Sequence, residues 1–291
     1  MVDYCGGDIS TAEAAELIKA VDDALGNDIY KFYAGVAYRH CLVVDGGTTE
    51  LGTMTPPHDI SGRVVGEYLS THKNAEPLIE LMKKSYDILK NHPINKARIA
   101  RGERPANSIW LWGEGVKPKL QNFKEKFGIN ATVISAVDLL KGIGILSGMS
   151  VPEVENTTGY LDTNFVGKIE AAKEAFRNGA DLVYLHFEAP DECGHRGEAD
   201  NKVKAIEIID EIAVGPLSEF LNGLGDYRIL IMPDHPTPLT TKTHSAKSVP
   251  FLIYDSRKAF SGPDKFTEDT ATNTGLFVEH GPNIMKMLLE R

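Results

Sequence analysis

Cysteine is scarce in this chain of 291 residues: Cys5, Cys41 and Cys193 are an odd number at wide spacing. That argues against a disulfide framework and fits a reducing cytoplasm. No run approaches the roughly eighteen apolar residues of a membrane-spanning helix. The opening "MVDYCGGDIS" has neither a basic nor an apolar region of the secretory kind. Positive charge is short too, with 31 Lys and Arg against 41 Asp and Glu, a formal net charge of −10. An acidic surface repels a phosphate backbone, so nucleic-acid binding is not expected. What remains is ordinary: 42% hydrophobic and 25% charged residues describe a globular protein with room for one large or two medium cores.

Against that background three stretches stand out, "APDECGH", "IMPDHPTP" and "KTHSAK". They carry Asp191, His195, Asp234, His235 and His244. Carboxylate oxygens with imidazole nitrogens suit Zn²⁺, Mn²⁺ and similar ions. Two Asp and three His exceed one tetrahedral site, so the set reads as a pair of metals, the arrangement that clamps both oxygens of phosphoryl transfer. Each stretch also has a bland reading. Asp191 and His195 at i, i+4 could open a helix with a solvated His, and Asp234-His235 could be a turn before Pro236. Position favours the metal. "DLVYLHFE" and "YRILIMP" read as buried parallel strands, and Asp191 and Asp234 follow directly, at the strand ends where chemistry gathers in open α/β sheets. His244 precedes a third strand candidate, "VPFLIYD". Cys193, inside the same segment, reads as a small filler rather than a soft ligand. Lys96, Arg98, Arg101 and Arg104 concentrate positive charge in "INKARIARGERP", either as a solvated loop or as an anion grip.

The first half reads as an α+β unit. A helix runs from the Ser10/Glu13 capping box to about Leu25, and two antiparallel β segments flank Gly35. A helix is expected from about Asn74 to Lys90, then a charged loop over "HPINKARIARGERPAN". "SIWLWG" reads as a short buried strand, and Pro118 to Phe127 as a short helix. After Gly128 strands and helices alternate, as parallel topology demands. "ATVIS" is a strand, "VDLLKGIGILSG" a helix, and "TNFVGKIEAAKEAFRNG" a helix closed by Gly179. A long helix over 197–224 bends near Gly215-Pro216. The expected division is an α+β domain at 1–128 and a metal-binding α/β domain at 129–291.

Nine segments in order, among them "VDYCGGDIST", "GVAYRH", "TPPHDI", "HPINKAR", "PANSIWLWGEG", "DLLKGIGILSGM", "TGYLDTNF", "EAPDECGH" and "MPDHPTPLTTKTHS", resemble the archaeal-type 2,3-bisphosphoglycerate-independent phosphoglycerate mutases of the alkaline phosphatase superfamily. The resemblance implies an alkaline-phosphatase-like α/β domain with a mostly parallel sheet flanked by helices, and a smaller inserted α+β substrate domain. It implies two divalent ions, Mn²⁺ or Zn²⁺ first and Co²⁺ or Mg²⁺ next. Asp191, His195 and His244 would hold one ion, Asp234 and His235 the other. Arg39, His40, His58, Asp59, Arg98 and Asn107 would grip phosphoglycerate. The implied reaction interconverts 3- and 2-phosphoglycerate through a phosphoserine. Family members carry the nucleophilic Ser and a further metal-binding Asp ahead of the "VDY" text, so both are expected upstream of Met1. "VENTTG" departs from the family's Gly-Ala-Thr-Gly turn near Asn156. A homoserine-kinase-like phosphotransferase, or a non-catalytic remnant, stays open as an alternative.

Overall fold

The computed structural model describes residues 1–258 and 262–289. The chain divides into two compact units, Met1–Lys119 and Leu120–Arg291. It belongs to the α/β class, with helix and strand in both units.

In the first unit, α1 (Thr11–Leu25) begins where the Ser10 hydroxyl accepts the Glu13 amide, satisfying one of the orphan N–H groups of a helix start. Ala14, Leu17, Ile18 and Val21 recur at helical spacing and are buried. They pack with Phe32, Leu81 and Leu89 into one core. β1 (Tyr30–Ala34) and β2 (His40–Val44) pair antiparallel, Tyr30 opposite Val44. α2 (Glu76–Leu89) supplies the core's other wall.

Two expectations fail here. The charged segment after His92 is not all loop, because α3 spans Pro93–Ala100. The His92 side chain accepts the Ile94 amide, and Pro93 presets the first turn. Dense charge hid the helical period. "SIWLWG" forms no strand, and Trp112 is 48% exposed. Its main chain is stitched to side chains of α2 instead: the Ile109 amide donates to Ser85 Oγ (3.0 Å) and the Leu111 amide to Met82 Sδ (3.2 Å). Backbone groups satisfied that way do not need a ladder.

In the second unit, α4 (Phe123–Phe127) ends at left-handed Gly128. β3 (Ala131–Ile134), buried at every position, pairs parallel with β4 (Leu182–Leu185), Ala131 opposite Leu182. The crossover between them carries α5 (Asp138–Leu146) and α6 (Phe165–Arg177). α7 (Ala189–Arg196) and α8 (Ala199–Ile208) follow. A π-helical stretch, Ile209–Val214, joins α8 to α9 (Gly215–Asn222). The expected bend at Gly215-Pro216 is thus absorbed by a wider turn, since proline removes an N–H and crowds the carbonyl four residues back.

β5 (Arg228–Ile231) and β6 (Leu252–Asp255) pair antiparallel, Arg228 opposite Asp255. A parallel third strand was expected. A parallel return needs a crossover, usually a helix, and residues 232–251 contain none. Those residues form a long loop, the kind of segment that is usually functional. α10 (Glu268–Asn273) and α11 (Asn283–Leu289) close the unit. Among the described residues no helix is long and apolar enough to cross a membrane.

Candidate metal centre

Two chain segments build the site. β4 ends at Leu185 and α7 begins at Ala189, so Asp191 falls in the first turn of α7 and His195 one turn on, on the same face. β5 ends at Ile231, and the 232–251 loop carries Asp234, His235 and His244.

The five side chains meet. His195 Nε2 lies 3.3 Å from Asp191 Oδ2, His244 Nε2 lies 3.4 Å from Asp191 Oδ1, and the two Nε2 atoms are 3.1 Å apart. His235 Nε2 lies 3.4 Å from Asp234 Oδ2, and its Nδ1 is 3.9 Å from Asp191 Oδ1. The His235 and His244 rings stack with centroids 3.7 Å apart. Donor atoms bound tetrahedrally at about 2.0–2.1 Å stand about 3.3–3.4 Å from each other. His195 Nε2 and His244 Nε2, 3.1 Å apart, each lie close to that edge length from a different oxygen of Asp191, so the donor types and their spacing fit a divalent ion. Asp191, His235 and His244 also bring one donor atom each within 4.8 Å.

The electrostatics agree. Burial works to raise the Asp191 pKa, but hydrogen bonds from His195 and Thr237 and the nearby imidazoles outweigh it and hold the acid at about 2. Asp191 is therefore an anion at any physiological pH, as a ligand must be. The hydrogen bond to Asp191 raises the His195 pKa, against burial. His195 Nδ1 donates to the Lys242 carbonyl at 2.9 Å, which leaves Nε2 facing the cluster. Lys242 sits at φ 54°, a left-handed conformation uncommon for a side chain of its size and the kind of strain found at functional sites.

Sequence reasoning missed several supporting residues. The Thr237 hydroxyl donates to Asp191 Oδ1 and lies 3.3 Å from His235 Nδ1. Lys202 Nζ donates to the carbonyls of Pro190 (2.9 Å) and Thr237 (3.0 Å), tying α7 to the loop. Gly194 faces the same contact: a Cβ there would lie 2.6 Å from the Thr237 carbonyl. Behind β4, Lys168 is 1% exposed, its Nζ donating to the His186 carbonyl at 3.1 Å and lying 5.1 Å from the Phe187 ring centre. Burial, aided by the charge of Lys141, lowers the Lys168 pKa to about 8. Only Thr237, a hydroxyl two residues past Asp-His, left a readable trace. Cys193 is fully buried in α7, the filler that was expected.

The first unit holds the other six residues. The Arg39 guanidinium lies 4.5 Å over the Tyr38 ring. Edge-on ring contacts run from Tyr38 to Tyr4 (5.5 Å), Tyr4 to His58 (6.2 Å) and His58 to Trp112 (5.4 Å), linking Arg39 with His58. His58 Nε2 is 3.8 Å from Asp59 Oδ1. His40 Nδ1 accepts the Gly35 amide, and Asn107 is exposed. Arg98 has a setting unlike the substrate contact implied for it. It is 2% exposed, and its guanidinium meets Glu13 Oε2 (2.6 Å), Glu103 Oε2 (3.3 Å) and the carbonyls of Arg104, Gly6 and Gly7. Those contacts engage all three of its nitrogens, so Arg98 serves as an internal strut.

Over residues 65–290 the chain matches the Metalloenzyme superfamily, which gives the class that the donor cluster defines. Residues 1–95 match 2,3-bisphosphoglycerate-independent phosphoglycerate mutase. A Geobacter sulfurreducens protein named "Probable 2,3-bisphosphoglycerate-independent phosphoglycerate mutase" is 49% identical over 292 residues, 100% of this chain and 73% of its own length. The Methanosarcina barkeri enzyme named as the same mutase is 43% identical, over 99% of this chain and 73% of its own. The chain belongs to the 2,3-bisphosphoglycerate-independent phosphoglycerate mutase family. Among solved structures, the PH0037 protein from Pyrococcus horikoshii superposes with a TM-score of 0.68 at 26% identity, and the chain spans 65% of its length. The cofactor-independent phosphoglycerate mutase of Thermoplasma acidophilum, at 22% identity and a TM-score of 0.52, shares the fold.

Proposed function

We propose that the chain acts in the interconversion of 3- and 2-phosphoglycerate without 2,3-bisphosphoglycerate, using two divalent ions. Asp191, His195 and His244 hold one, and Asp234 and His235 the other. The observation that carries this reading is the meeting of five carboxylate and imidazole side chains from two strand-following segments, at spacings a bound ion imposes. Bound there, the ions would supply charge neutralisation and a clamp on the oxygens of the transferring phosphoryl group. The chain's own residues prepare the site. Asp191 stays ionised, the Lys242 carbonyl holds His195 with Nε2 inward, and Lys202 keeps helix and loop in register. Oxygen and nitrogen donors suit Mn²⁺ and Zn²⁺, with Co²⁺ and Mg²⁺ next. In the first unit Arg39, His40, His58, Asp59 and Asn107 are the proposed contacts to phosphoglycerate. Arg98 is better read as their support. The three cysteines, none in a disulfide, favour a reducing cytoplasm.

The test is metal and substrate binding by the purified chain, with turnover measured on protein that also carries the phosphoserine nucleophile. With Mn²⁺ added, the chain should bind divalent metal and 3-phosphoglycerate, and the nucleophile-bearing protein should convert 3-phosphoglycerate to 2-phosphoglycerate. Phosphorylation of homoserine from ATP in place of mutase activity would assign the site to the phosphotransferase alternative. Metal binding without turnover of either substrate, with the nucleophile present, would overturn the mutase reading.

A further inference from the structure

We propose that Thr237 is a positioning residue that couples the two ligand sets: its hydroxyl orients the Asp191 carboxylate and, with the same oxygen, fixes the ring tautomer of His235. The inference rests on reading these side chains as ion ligands. A threonine hydroxyl has one proton to give and lone pairs to receive. Thr237 gives that proton to Asp191 Oδ1, since an ionised carboxylate only accepts. Toward His235 Nδ1, 3.3 Å away, Thr237 Oγ1 can then act only as an acceptor. Nδ1 must carry the ring hydrogen, and Nε2 keeps the lone pair. Nε2 is the atom that lies 3.4 Å from Asp234 Oδ2, where the second ion would bind. The ordered chain His235 Nδ1–H, Thr237 Oγ1–H, Asp191 Oδ1 thus sets one ligand of each ion through a single hydroxyl.

The hydroxyl is itself held in place. Thr237 is 5% exposed, and a buried hydroxyl is costly unless bonded. Its carbonyl accepts from Lys202 Nζ at 3.0 Å, and the same ammonium donates to the carbonyl of Pro190, the residue before Asp191. Gly194 lets the Thr237 carbonyl approach α7 closer than any Cβ would allow. Through Lys202, Thr237 is tied to the main chain just ahead of Asp191, which keeps its side chain beside the two ligands it serves.

The experiment uses the full chain, Mn²⁺ as probe, and the variants Thr237→Val and Thr237→Ser. Calorimetric titration should show Thr237→Val weakened at both ion equivalents by roughly 10–100-fold, the usual cost of losing an orienting partner. Thr237→Ser should bind nearly as the parent does, and the thermal midpoints of the metal-free proteins should agree. Imidazole nitrogen NMR of the metal-free parent at neutral pH or above should find His235 in the Nδ1–H form, and Thr237→Val should shift it toward Nε2–H. Unaltered Mn²⁺ affinity in the valine variant, or weakening of one equivalent alone, would overturn the coupling. So would a parent protein with His235 in the Nε2–H form, a result that needs no variant to fold. A parent that binds no Mn²⁺ would sink the ion reading, while the metal-free NMR would still decide the role of Thr237.

Discussion

Each unit has a dense cluster of charged and titratable groups, and the two are built on opposite plans. Around Arg98 the signs alternate. Glu13 meets Arg98 (2.6 Å) and Arg101 (2.7 Å), Glu103 meets Arg101 (2.8 Å), and Asp3 meets Arg104 (2.9 Å). Every charge there finds its opposite within the protein. Around Asp191 the neighbours are imidazoles, and two of their nitrogens face each other at 3.1 Å. Imidazole nitrogens and carboxylate oxygens are donors that a divalent cation can share. The difference teaches that richness in charge does not identify a site. A cluster of alternating charges braces the fold, and one of converging carboxylate and imidazole donors is able to bind a metal.

The sharpest way to break this contrast is Asp191→Ala. Elemental analysis of the purified variant should find the bound divalent metal largely gone. Full metal content would make the second cluster as self-sufficient as the first. Arg98→Ala should act in the opposite manner. Removing one partner of a buried ion pair costs about 3–5 kcal/mol, readable by urea unfolding, and metal content should not change. A loss of metal matching that of Asp191→Ala would erase the distinction.

Lys168 sharpens the comparison from inside the second unit. Its amine is lowered from 10.5 to about 8, first by burial and then by Lys141, so below pH 8 the fold holds a charge that burial disfavours. Between about pH 8 and 10.5 the unfolded chain binds the proton and the folded chain does not, so stability rises with pH through that window. Lys168→Met should abolish that rise and be more stable at pH 7, by up to about 3 kcal/mol. A variant whose stability falls, with the pH slope intact, would show that the ammonium is compensated as fully as Arg98. Smallest is Ser10→Ala, which removes the cap of α1 and should cost about 1 kcal/mol in chemical denaturation. No loss would mean that the Arg98–Glu13 brace alone fixes that helix start.

Local patterns were readable in the sequence wherever one segment decides its own structure. Ser10 and Glu13 announced α1, and aromatic and β-branched runs on either side of Gly35 announced the hairpin. The five ligand candidates were legible because strand-like runs place Asp191 and Asp234 just past strand ends. What escaped depended on partners distant in the chain. Arg98 looked like a substrate arginine, but its burial against Glu13 and the Gly6 and Gly7 carbonyls joins residues some ninety positions apart. The strand-like text of "SIWLWG" is an extended segment bonded to α2 side chains, and no apolar pattern encodes that. β6 was assigned the wrong direction because periodicity says nothing about how a chain returns. Asn156, where the sequence departs from the family's glycine-bearing turn, holds φ 57°, a conformation asparagine tolerates better than most residues.

Gly194 gives the molecule a hidden adjustment point. It binds nothing, yet a methyl group at that position would overlap the Thr237 carbonyl at 2.6 Å and the Lys202 ammonium at 2.9 Å. Gly194→Ala would act as a wedge, prising the loop off the helix and widening the gap between the two segments that carry the proposed ligands. Evolution could therefore detune the proposed centre by adding a single carbon, without touching any proposed ligand atom.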